Sequence, residues 1–175
     1  MDFARVADLV AGFLSGEGVR FALVGAFGLH AYGFSRATSD LDFVTERAVR
    51  DRTVSFLESH GFETLHVSPG YSNHVHPGPL GRVDLIYVDA ETADKLFAAG
   101  GTTLRFGERE LPVPRAEHLA AMKVHAMKND PGRSLQELAD IRLLLLLPGV
   151  DRDEIRGYFA GAGLQNRFDE IERSL

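Results

Sequence analysis

Apolar residues at Phe3, Val6, Leu9, Val10, Phe13 and Leu14 recur with the spacing of one helical face, and Gly16 and Gly18 follow where such a helix would stop. The pattern then changes. Residues 20–24 read as a short buried strand, 25–32 as a small-residue turn running into a helix, and 41–44 as a second strand. An amphipathic helix is expected over 47–60, stopped by Gly61. Short strands follow at 62–67 and 73–76, separated by Ser68, Pro69 and Gly70. Val83, Leu85, Ile86 and Val88 give residues 82–88 the apolar bulk of a central strand. A helix is expected at 91–99 and a hairpin at 104–113, turning near Gly107 and Glu108.

After Pro114 only helical periodicity remains, at 115–129, 134–147, 152–160 and 166–174, punctuated by Pro131-Gly132 and Pro148-Gly149. Strands early and helices late predict an α+β chain. The expected division is a core over 1–114 and a C-terminal helical segment over 115–175 packed on it as one compact domain. No internal repeat or low-complexity linker interrupts this order.

Composition narrows the function classes. A chain of 175 residues, 45% hydrophobic and 25% charged, suits one globular domain. A formal net charge of −6 argues against gripping duplex nucleic acid by charge alone, though it leaves room for a local basic groove. The absence of cysteine excludes disulfides and thiolate metal sites, and a cytoplasmic location is the expectation that follows. Asp2, Arg5 and Asp8 break the N-terminal apolar pattern in a way no secretory signal would. The aliphatic run 143–147 is far too short to span a bilayer, so no membrane association is expected.

The candidate chemistry lies in three acids. Strand side chains alternate faces, so Asp40 and Asp42 point the same way while Leu41 and Phe43 point into the core. Neighbouring like charges repel, and a cation between them relieves the repulsion. An exposed acidic edge is the plain alternative. Asp84 weighs against it, because a carboxylate between Val83 and Leu85 in an apolar strand needs a partner. Three acids on neighbouring strands can hold two Mg²⁺ ions roughly 3.5–4 Å apart. Oxygen-only ligands favour Mg²⁺ or Mn²⁺ over zinc. Gly25 and Ala26, between a strand and a helix, either present backbone N–H groups to a phosphate or simply permit a tight turn.

The order Val24-Gly25-Ala26, a short helix, Asp40-Leu41-Asp42 and later Val83-Asp84-Leu85 resembles the nucleotidyltransferase superfamily with the DNA polymerase β fold. The approach Arg36-x-Thr38-x-Asp40 is similar to that of its minimal bacterial members. The tail Glu117-His118-Leu119-Ala120-Ala121-Met122-Lys123, with Asp140-Ile141-Arg142-Leu143-Leu144, looks like that of the AbiEii-like abortive-infection toxins. The resemblance covers about residues 21–146 and implies a mixed-sheet core with flanking helices. It further implies Mg²⁺-dependent transfer of a nucleoside monophosphate from a triphosphate such as ATP to a hydroxyl on a protein, a tRNA or a small molecule. Asp40 and Asp42 would hold both metals and Asp84 the one nearer the incoming hydroxyl. Gly25, Ala26, Arg36, Thr38, Ser39 and Lys123 are the corresponding candidate nucleotide contacts. Where the family usually carries Gly or Ser, this chain has Ala26, which keeps the backbone donor and loses any hydroxyl contact. That departure favours a rival reading, a protein of the same fold that binds nucleotide or a partner without turnover. A second rival is the toxin half of a toxin–antitoxin pair, with an antitoxin as partner.

Several residues admit more than one reading. Lys123 falls on the apolar stripe of its helix with Leu119, Ala120 and Met127, and either salt-bridges Asp140 or reaches the triphosphate. Arg36 either binds a phosphate, holds the loop or neutralises Asp40. Ser35, Thr38 and Ser39 also suit loop backbone groups. His74 and His76 share a strand face and, with His60 or His66, offer a transition-metal site; exposed strand histidines are the plainer reading. His30 is expected to pack near the site. Arg105, Arg109, Arg115, Lys123, Lys128 and Arg133 are a candidate basic patch, interrupted by Glu108, Glu110, Glu117 and Asp130.

Overall fold

Glycine and proline end the elements much where the sequence places them in the structure, a computed structural model that describes residues 1–98 and 100–175. The chain divides into two compact units, Met1–Pro114 and Arg115–Leu175.

In the first unit, helix α1 (Phe3–Gly16) buries Val6, Ala7, Val10, Ala11 and Leu14, and the Asp2 carboxylate caps it by accepting from Arg5 N. Strand β1 (Phe21–Leu23) leads through Val24 into the short helix α2 (Gly25–Ala31). Strand β2 (Asp40–Glu46) follows, then a 3₁₀ turn (Arg47–Val49) and helix α3 (Arg50–Ser59), so the helix expected over 47–60 starts one tight turn late. Strands β3 (Glu63–Ser68) and β4 (Tyr71–His76) form a hairpin. Its pairing already includes Ser68 and Tyr71, which leaves Pro69 and Gly70 as a two-residue loop and starts β4 two residues earlier than expected. Proline has no N–H for the ladder, so it falls in the loop. Strand β5 (Gly81–Val88), helix α4 (Ala90–Leu96) and the hairpin β6 (Thr102–Phe106) and β7 (Arg109–Val113) complete the unit. The helix expected to reach Ala99 ends at Leu96 among the described residues; Ala99 itself lies outside them.

The five-stranded sheet has the order β1-β2-β5-β4-β3, with β2 and β5 parallel and the other neighbours antiparallel. It is mixed. One face carries Leu41, Phe43, Val83 and Leu85, all fully buried, and each such side chain contributes about 1.5–3 kcal/mol. The other face carries the acids. A one-residue slip of β2 would exchange the two sets and drive Asp40 and Asp42 into the core, so the hydrophobic pattern also aims the carboxylates.

In the second unit, α5 (Ala116–Asn129), α6 (Ser134–Leu145), α7 (Arg152–Ala162) and α8 (Gln165–Glu172) bury Leu119, Val124, Ile141, Leu144, Ile155, Phe159 and Phe168. Phe159 and Phe168 meet edge to face, 5.4 Å between centroids. Glu117 Oε1 accepts from the backbone N–H of Asp151, the residue that caps α7. No helix among the described residues is long and apolar enough to cross a membrane.

Candidate active site

The parallel pairing of β2 and β5 sets Asp42 directly opposite Asp84, and Asp40 opposite Arg82. Alternation therefore puts Asp40, Asp42, Arg82 and Asp84 on one face. One carboxylate oxygen from each of Asp40, Asp42 and Asp84 lies within 4.8 Å of the others. These three are the only set of three or more potential metal ligands brought together among the described residues. The donor set is oxygen only and hard, which favours Mg²⁺ or Mn²⁺ over zinc.

Gly25 borders this cluster. Its φ of +59° lies in the left-handed region, which glycine enters without a Cβ penalty. A side chain there would also collide with the Asp42 carboxylate. Both demands select glycine. Ala26 is fully buried, so its methyl group packs in the core. The first amides of α2 have no acceptor within their own helix, and of these residues Gly25 is the one that reaches the surface beside Asp42. The backbone of β1 and β2 reinforces this junction, with Val24 N donating to Asp42 O at 3.0 Å.

The loop between α2 and β2 is anchored by His30. Its Nε2 lies 2.9 Å from Arg36 O and 3.2 Å from Arg36 N, so one ring nitrogen holds the loop backbone. The ring also packs edge-on against Phe27, 4.9 Å between centroids. Thr38 Oγ1 donates to Asp40 Oδ1. Ser39 is exposed at the entry to β2.

Asp84 has the densest surroundings. Asn73, its register partner on β4, donates from Nδ2 to Oδ1. Arg82 Nε donates to the same oxygen at 3.2 Å, and Tyr71 O–H donates to Oδ2 at 2.7 Å. Burial first, and then the Asp84 carboxylate, push the Tyr71 hydroxyl up to about 12, so it stays a donor at neutral pH. Sequence reasoning missed Tyr71, Asn73 and Arg82. The two-residue alternation of Tyr71, Asn73 and Val75 was a usable signal, hidden because the strand was expected to begin at Asn73.

Elsewhere the structure gives the partners of the remaining candidates. The Lys123 ammonium is buried in the second unit, 2.5 Å from Asp140 Oδ2 and 3.1 Å from Glu137 Oε2. That is the salt-bridge alternative, enlarged by Glu137, which also pairs with Arg133 at 2.7 Å. The expected basic patch is largely neutralised: Arg105 pairs with Glu110, Arg109 with Asp8, and Arg115 with Glu117 and Glu154. His74 is not an exposed strand histidine but fully buried, with Nδ1 3.1 Å from Thr64 Oγ1 and Nε2 2.8 Å from Ser72 Oγ. His76 Nδ1 accepts from Gly78 N, and His60 Nδ1 bonds to Phe56 O.

No protein-family model matches the sequence, and no curated protein matches it. Solved structures do. The antibiotic-resistance factor ANT(2'')-Ia superposes with a TM-score of 0.69 over 99% of this chain and 98% of its own, at 11% identity. It has also been solved in complex with adenylyl-2''-tobramycin. An antigenic nucleotidyltransferase-like protein from Paracoccidioides brasiliensis gives 0.59 over 96% and 92%, at 19% identity. The lincosamide antibiotic adenylyltransferase LnuA, bound to lincomycin, gives 0.56 over 81% and 96%, at 13% identity. Identities this low establish likeness of architecture, and on that basis the chain has the nucleotidyltransferase fold.

Proposed function

We propose that this protein is a divalent-metal-dependent nucleotidyltransferase that moves a nucleoside monophosphate from a triphosphate to a hydroxyl acceptor. The observation that carries the reading is the meeting of Asp40, Asp42 and Asp84 beside a glycine that admits no side chain. Asp40, Asp42 and Asp84 would hold Mg²⁺ or Mn²⁺. Such ions, when bound, neutralise phosphate charge and polarise the acceptor hydroxyl.

The chain's own groups have the remaining tasks. The Gly25 amide would hold a phosphate oxygen, and the buried Ala26 backs the turn from the core, a role that needs no hydroxyl. His30 fixes the loop carrying Arg36, Thr38 and Ser39, and Thr38 steadies Asp40. Tyr71 and Asn73 fix the Asp84 carboxylate. Attack of the acceptor oxygen on the α-phosphate, in line with departing pyrophosphate, requires positioning and charge complementarity more than covalent participation by the enzyme. Lys123, engaged with Glu137 and Asp140, is left out of the nucleotide contacts.

For the acceptor we favour a small hydroxylated molecule over tRNA or protein. The net charge of −6 and the paired arginines give little purchase for a polyanion. Two structural neighbours of comparable length, ANT(2'')-Ia and LnuA, carry antibiotic names and ligands. The rival reading, binding without turnover, is favoured by Ala26. The test is transfer of label from an α-³²P nucleoside triphosphate, with Mg²⁺, to separate pools of hydroxylated antibiotics, total tRNA and cell protein. Label on the small-molecule pool, lost in Asp42→Asn, supports the proposal. Tight Mg²⁺-nucleotide binding with no labelled product in any pool supports the rival.

A further inference from the structure

The three donors to Asp84 are not equivalent. Asn73 is buried and Tyr71 half-buried, and each is fixed by its place on β4. Arg82 differs: its side chain is 45% exposed, against 11% for Asp84, and it is the only one of the three that carries charge. A carboxylate offers about four acceptor directions, and here three are filled, two on Oδ1 and one on Oδ2. Arg82 also faces Asp40 across the β2–β5 ladder, which places a guanidinium in the row of acids itself. A divalent cation arriving at the cluster therefore meets an acid whose charge already has a partner.

We propose that Arg82 is an internal counter-cation of Asp84, which pairs with it when no metal is bound and exchanges with a divalent ion at that carboxylate. Tyr71 and Asn73 keep the carboxylate oriented through the exchange, because neither has to move. The pairing would keep three converging negative charges tolerable in the metal-free protein and set the metal concentration at which the cluster fills. This rests on the metal-site reading above. Arg82 acts through Asp84 and is a positioning residue, not a catalytic one.

The test is Mn²⁺ titration of the folded protein by electron paramagnetic resonance, without nucleotide, on wild type, Arg82→Gln, Arg82→Lys, Asp84→Asn and the Arg82→Gln/Asp84→Asn double variant. Circular dichroism confirms that each is folded, and the exposure of Arg82 makes its variants safe in this respect. Sparing the ion the displacement of a charge-assisted hydrogen bond on Asp84 should tighten binding roughly tenfold. Arg82→Lys, which keeps the charge, should stay near wild type. In the Asp84→Asn background Arg82→Gln should change little. Equal Mn²⁺ affinity in wild type and Arg82→Gln overturns the counter-cation role alone. The same gain with and without Asp84 also overturns it, since the effect would then be a general field. No Mn²⁺ binding by any variant overturns both this inference and the metal site it rests on.

Discussion

Gly25 and Asp42 occupy adjoining space so closely that a Cβ on the first would lie 2.6 Å from Cγ of the second, and nearer still to Oδ2. The turn that presents backbone amides and the strand that presents the acids are thus fitted to each other through one missing side chain. Left-handed backbone at a residue with a Cβ costs roughly 1–2 kcal/mol. The greater penalty falls on the carboxylate, which must move.

Gly25→Ala should consequently damage activity far more than stability. A displacement of about 1 Å at a reacting centre costs about 10²-fold in rate. Labelled transfer should fall by at least that factor, while the folded state loses about 1–2 kcal/mol for the backbone plus the cost of turning aside one partly exposed carboxylate. Wild-type transfer by Gly25→Ala would show that the Asp42 position is not critical.

Lys123→Ala should do the opposite. It would leave Glu137 and Asp140, both nearly inaccessible, without their shared cation. Breaking a buried ion pair from one side costs about 3–5 kcal/mol. Urea unfolding should show a loss of that order, with nucleotide affinity unchanged in the fraction that remains folded. Weakened nucleotide binding with an unchanged unfolding midpoint would return Lys123 to the triphosphate.

His74 should make stability depend on pH. Burial lowers its pKa in the folded protein, opposed by the nearby charges of Glu58 and Asp84. At pH values above about 6.5 the ring is neutral in both states and its contribution is complete. As pH falls below that value the unfolded chain takes up a proton that the folded one does not, so stability falls towards the depressed folded pKa. Urea titrations at pH 8 and pH 5 should show a larger acid loss for wild type than for His74→Gln. Parallel losses would mean that the ring takes up its proton equally in both states.

The acid-bearing face was legible in the sequence because it needs only local information. Period-two alternation aims Asp40 and Asp42 together, and a carboxylate between Val83 and Leu85 announces itself against apolar neighbours. What surrounds Asp84 was not legible. Asn73 reaches it through the β4–β5 register, a long-range pairing, and Tyr71 joins only because the hairpin loop is two residues long. The same pairing turns His74 inward, so a strand that seemed exposed buries Ser72 and His74 completely. For Lys123, helical periodicity showed the apolar stripe, but the second carboxylate depends on how α5 meets α6. Local pattern reads direction; partners across elements require the fold.

Calorimetric titration with the non-hydrolysable α,β-methylene analogue of ATP tests the central claim without knowledge of the acceptor. In wild type, binding should require Mg²⁺ and disappear with excess chelator, and in folded Asp42→Asn it should be weakened to the level of the chelated wild type. Binding of equal strength with and without Mg²⁺, or undiminished in Asp42→Asn, would contradict the assignment of these carboxylates as the metal-holding centre.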